Sequence, residues 1–91
     1  MLFQKGEMMN PTIYSDINQE RKRQDTKWGE QNHNPYKWLA ILHEETGEAA
    51  KALLEGSLLN YRDEMIQVAA VAIAAIECLD RGKWDARKEC S

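Results

Sequence analysis

Glu45 and Glu48 lie three residues apart in one stretch, and Glu64 and Gln67 repeat that spacing further on. Side chains three apart on a helix project to nearly the same side, so each pair aims two oxygen-bearing groups in one direction. At roughly 100° per residue, Trp38, Leu42, Ala49 and Leu53 form one apolar stripe, and Glu45 projects inside it. A lone carboxylate in such a setting must be paired, protonated or bound to a cation. Glu44, four residues before Glu48, flanks the same side, and Glu64 falls on the line of Val71, Ala75 and Cys78. Two antiparallel helices joined by a short turn would bring the pairs face to face. Oxygen ligands of this kind suit a hard divalent cation, Mg2+ above all with Mn2+ as a substitute. Such an acidic pocket holds a polyphosphate only through the metal.

Cheaper explanations exist for some of these residues. Glu44 can simply face water. Asp63 and Glu64 fall in the expected first turn of a helix, where negative charge suits the helix dipole. Neither explanation covers Glu45 among core residues. Trp28 offers a face on which a nucleobase could stack, or a ring that seals the end of the bundle. Lys27, together with Arg21, Lys22 and Arg23, could neutralise a triphosphate or form a solvated face. Lys51, one turn beyond Glu48, is better placed for a phosphate, and pairing with Glu48 explains it equally well. Asn32 and Asn34 could read base edges, although loop asparagines mostly form turns. His33 and His43 lack the partners of a histidine metal site and read as surface residues.

The elements that must position these groups are helical. Asn10 and Pro11 suit an N-cap and a first helical residue, opening a helix from about Pro11 to Lys27. Its apolar content is thin: Ile13, Ile17 and Trp28 share a face, with Tyr14 beside it. Gly29, two asparagines and Pro35 mark a loop. A second helix is expected from about Tyr36 to Leu54 or Glu55, with Gly56 as its C-cap. Asn60 is the expected N-cap of a third helix, from about Tyr61 to Asp80 and ended by Gly82. Trp84 to Glu89 offers one more short turn or helix. The third helix is apolar on nearly its whole circumference, from Met65 to Leu79, so other helices must surround it. Three helices from one short chain can hardly do so. The expected fold is therefore all-α: a short three-helix protomer completed by oligomerisation.

Bulk properties narrow the class. Ninety-one residues make one small domain, with residues 1–10 read as a flexible leader and 11–91 as the helical domain. A formal net charge of −3 argues against a dedicated nucleic-acid binder. Cys78 and Cys90 form neither a disulfide framework nor a zinc motif, which points to a reducing cytoplasm, and Cys78 reads as a small core residue. The most hydrophobic run, Met65 to Leu79, is too short to span a bilayer and carries Gln67 and Glu77, so the chain reads as soluble.

Glu45-x-x-Glu48 followed by Glu64-x-x-Gln67 in an all-helical chain resembles the MazG-like family of nucleoside triphosphate pyrophosphatases. The resemblance extends to Glu20-Arg21, to the run from Gln24 to Gln31 around Trp28-Gly29, and to Ile41-Leu42-x-Glu44-Glu45-x-Gly47-Glu48. It continues through Gln67 to Ala72 and Ile76-Glu77, so it spans roughly residues 13 to 81. It implies hydrolysis of a nucleoside triphosphate to the monophosphate and pyrophosphate. In that scheme Glu45, Glu48 and Glu64 are magnesium ligands, and Glu44 is a further ligand or orients the attacking water. One departure stands out. The family's second pair usually ends in aspartate where this chain has Gln67, a neutral and weaker ligand. That leaves a nucleotide-binding or regulatory protein with little catalysis as one alternative; a purely structural oligomer, whose acidic face only sets pairing, is the other. The implied partners are a nucleoside triphosphate and further copies of the chain, as a dimer or tetramer.

Overall fold

The computed structural model describes residues 10–84. Three helices follow one another: α1 (Pro11–Trp28), α2 (Pro35–Leu54) and α3 (Leu58–Arg81), with no strand among the described residues. None of these helices is long and apolar enough to cross a membrane. The possible helix after Trp84, the leader before Asn10, and Cys90 lie outside the described residues.

Each helix starts on a side-chain cap. The Asn10 Oδ1 accepts from the Thr12 N–H at 2.9 Å, with Pro11 first in α1, where its missing N–H costs nothing. Asn34 does the same for α2, accepting from the Lys37 N–H at 3.0 Å, with Pro35 next in line. Asn34 is fully buried, so this cap has no water to replace it. Asn34→Ala is expected to lower stability by about 1–2 kcal/mol, read as a shift in the urea midpoint.

The third helix begins earlier than the sequence suggests. Ser57, not Asn60, is its N-cap and accepts from the Asn60 N–H at 3.1 Å. Leu58, Leu59 and Asn60 therefore form the first turn, and that turn holds no acidic residue. The helix-dipole explanation for Asp63 and Glu64 fails with this shift, because the effect fades beyond the first turn. α2 has Glu55 as its C-cap, with Gly56 one residue later at φ 78°. At the other end of α3, Gly82 adopts the left-handed conformation and its N–H reaches the Cys78 and Leu79 carbonyls.

α3 is the hub. α1 and α2 each pack on α3 and not on one another. α2 and α3 form the closer pair, and their core is Trp38 against Val71, Ala74 and Cys78. The small residues of α3 let the large indole in. Cys78 is fully buried, as its apolar setting suggests, and its Sγ donates to the His33 carbonyl at 3.2 Å. His33 is half-buried and not a surface residue, because its ring meets Trp38 edge-on at 5.0 Å. His43 is exposed.

α1 meets α3 through two ion pairs and little buried apolar surface. Arg21 Nη2 donates to Glu77 at 2.7 Å and Arg62 Nη2 to Asp16 at 2.8 Å, both across to α3. Ile17 is the one buried apolar residue of α1. Tyr14 and Trp28, expected along its packed face, are exposed, and Trp28 keeps 59 % of its surface. Trp28 neither seals the bundle nor joins the core. Lys27 Nζ lies 4.8 Å over its ring instead. Leu53, expected on the buried stripe of α2, is also exposed. On the outer side of α2 and α3, Leu39, Ile76 and Leu79 remain more than half exposed.

Candidate functional site

Acids from three helices lie within electrostatic reach of Glu45. Glu45 is half-buried on α2, in line with buried Ala49 and Ala52, and Glu64 is half-buried on α3. The carboxyl of Glu45 is pushed above the ordinary carboxylate range, first by burial and then by the negative charges of Glu64, Glu48, Glu20 and Glu44. These acids come from all three helices. Glu44 and Glu48 are exposed at the rim.

Glu20 is the member to which the sequence reading gave no role, although it stands within the family resemblance. It lies on the packed side of α1, one turn after Ile17, and only 13 % of its side chain is exposed. Its carboxyl is drawn below the ordinary range by hydrogen bonds from Arg23, against the opposing effect of burial. Arg23 Nε and Nη2 reach its two oxygens at 2.9 and 2.6 Å, and Gln24 Nε2 adds a bond of 3.2 Å. The signal was present in the helix period. Ile17, Glu20, Arg21 and Gln24 fall at i, i+3, i+4 and i+7, and none of the four is exposed. Counting apolar residues alone hid that stripe.

Two grooves flank the acids. The one between α1 and α3, about 540 Å³, carries Glu20, Arg23, Arg62 and Gln67. The one between α2 and α3, about 240 Å³, carries Glu48, Lys51, Glu64 and Gln67. Gln67 and Asp63 line both. Lys51 thus lies beside the acids. Lys27 and Trp28 do not: they lie two turns beyond Glu20, roughly 12 Å along the helix axis. Arg21 is likewise drawn away from any phosphate role at this site. Its guanidinium is committed to Asp25 at 3.1 Å and Glu77 at 2.7 Å.

Among the described residues, no three histidine, cysteine or acidic side chains stand close enough to hold a metal ion as placed. The acids repel across a gap and do not share one point. Their chemistry nonetheless suits a hard cation: every donor is oxygen, and the upward push on Glu45 is the cost a bound cation relieves.

This arrangement has a pH signature. Folding raises the Glu45 pKa, so the stability linked to it is complete below the ordinary carboxylate range and lost as pH rises through the raised value. Glu20 runs the opposite way: its contribution is present at neutral pH and lost as pH falls through its lowered value. In metal-free protein, the melting-temperature advantage of Glu45→Gln over the parent chain should therefore open up as pH climbs through the carboxylate range. Thermal melts in chelator between about pH 4 and 8 check this.

Set against known protein families, curated proteins and solved structures, the chain shows no match, so the geometry of its own residues carries the functional argument.

Proposed function

We propose that the chain is a Mg2+-dependent nucleoside triphosphate pyrophosphohydrolase of the MazG-like kind. It would convert ribo- or deoxynucleoside triphosphates to monophosphates and pyrophosphate in a cytoplasmic, pool-cleaning role. The observation that carries the reading is Glu45, crowded by Glu64, Glu48, Glu20 and Glu44 from three helices. The ordered motifs around Glu45, Glu48, Glu64 and Gln67 support it from the sequence side.

In this reading Glu45, Glu48 and Glu64 hold the cation, with Gln67 as a neutral fourth donor. Mg2+ held by these residues would supply Lewis-acid polarisation of the phosphate group and of a water molecule. Glu44, at the rim, or Glu45 accepts the proton of the attacking water as its oxygen bonds to the α-phosphorus and the α–β bridge breaks. Pyrophosphate leaves. Lys51, in the α2–α3 groove with Glu48 and Glu64, would meet phosphate oxygens beside the acids; Arg23 is committed to Glu20. The exposed Leu39, Ile76 and Leu79 support a second copy of the chain against α2 and α3, giving a dimer or tetramer.

The test is direct. Purified chain with Mg2+ should release pyrophosphate from at least one natural or damaged nucleoside triphosphate, and Mg2+ alone should raise its melting temperature. A melting temperature indifferent to Mg2+ would favour a structural oligomer. Release from none of the triphosphates would remove the enzyme.

A further inference from the structure

A third polar cavity lies between the C-terminal part of α1, the start of α2, the later turns of α3 and the loop after Trp28, with a volume of about 310 Å³. Its walls include Arg21, Glu77, Trp38, Arg81 and the Gly29–Gln31 segment. Arg81 fixes that segment to α3: its Nη2 donates to the Gln31 carbonyl at 3.0 Å and its Nε to Asn32 Oδ1 at 3.1 Å. The cavity is therefore built from cross-linked elements.

Two of its wall residues hold buried hydrogen-bond donors with no partner. Trp38 is 94 % buried and its Nε1 donates to nothing; Arg21 Nε is in the same position. The terminal nitrogens of Arg21 are taken by Gln24, Asp25 and Glu77, which leaves Nε as its spare donor. Leaving such donors unmet costs free energy. The lining also excludes one ligand class. Arg21 and Arg81 are outnumbered by Asp25, Glu30 and Glu77, so the cavity offers no net positive charge to an anion. What remains is an uncharged group with acceptor atoms on its edge.

We infer that this cavity takes an uncharged planar heterocycle with acceptor atoms on its edge, the base of the nucleotide, through Trp38 Nε1 and Arg21 Nε. The inference rests on the proposed reading of the acids for the identity of the ligand, and the spacing is compatible. Trp38 precedes Glu45 by seven residues of α2, which is about 10 Å along the axis, the reach of a ribose and its phosphates. The acids would grip the phosphates and this cavity would read the base.

The indole N–H resonances of Trp28, Trp38 and Trp84 offer the test, the Trp38 signal being assigned by its loss in Trp38→Phe. Adenosine, guanosine, cytidine and uridine, without phosphate or metal, are titrated into the full chain, followed by their triphosphates with Mg2+. A saturable shift of the Trp38 signal with at least one nucleoside is expected. Arg21→Lys keeps the positive charge beside Glu77 but has no equivalent of the Nε donor, and it should weaken that binding about threefold to tenfold under conditions where thermal melts show the variant folded. A Trp38 signal that moves with neither nucleosides nor triphosphates would overturn the inference, as would undiminished binding by Arg21→Lys. The two readings separate cleanly. Nucleoside binding without pyrophosphate release upholds the cavity and sinks the enzyme, and release with a stationary Trp38 signal does the reverse.

Discussion

Glu45→Gln is expected to abolish pyrophosphate release, by at least about 100-fold, while raising the melting temperature of the metal-free chain. The two effects have opposite sign because one side chain carries both. Its charge is unwelcome in the metal-free chain, where burial and the carboxylates of Glu64, Glu48, Glu20 and Glu44 all oppose ionisation. The same charge is the central ligand of the proposed cation. Altering even a partner of a metal ligand typically costs 10–100-fold, so loss of the ligand itself should cost more. The check is paired: steady-state pyrophosphate release with Mg2+, and thermal melts in chelator. A variant that loses activity and stability together would mean that Glu45 is structural. One that keeps turnover would remove it from the site.

Trp38→Ala should be the most damaging single change to the fold, costing about 3–5 kcal/mol. The indole fills the space between α2 and α3 against Val71, Ala74 and Cys78, with Ile41, Leu42 and Trp84 packed around it. None of the small residues facing it can expand into the void. For a domain of this size, total stability is roughly 5–15 kcal/mol, so the variant would sit near its unfolding threshold at room temperature. Equilibrium urea unfolding measures this. Trp38→Phe is the informative companion. It keeps an aromatic ring and removes an N–H that has no partner in the fold, so it should cost much less. Equal losses for the two variants would show that the buried ring volume is not what matters.

The three helices and their order were legible from helix period, prolines and glycines. The start of α3 was not, because Ser57 and Asn60 are both good caps and the pattern alone cannot choose between them. The choice mattered, since it moves Glu64 out of the first turn and removes its easy explanation. Glu45 was readable as an anomaly because its neighbours on the α2 stripe are apolar. Glu20 was not, because its neighbours on α1 are polar: Arg21 and Gln24 are half-buried through ion pairs and hydrogen bonds, which a hydrophobic count does not register. Trp28 misled for a related reason. A tryptophan at the end of a polar helix has little to pack against, and Lys27 occupies its face. The cavity beside Trp38 joins residues from α1, α2, α3 and a loop, a juxtaposition that exists only after folding.

Because α1 touches α3 alone, and does so largely through Arg21–Glu77 and Arg62–Asp16, its attachment is unusually exposed to ionic strength. The α2–α3 hairpin, zipped by Trp38 and its small partners, is indifferent to salt. A concentrated electrolyte would thus loosen α1 before it touches the hairpin, and with it the wall that brings Glu20 to the acids and Arg21 to the cavity.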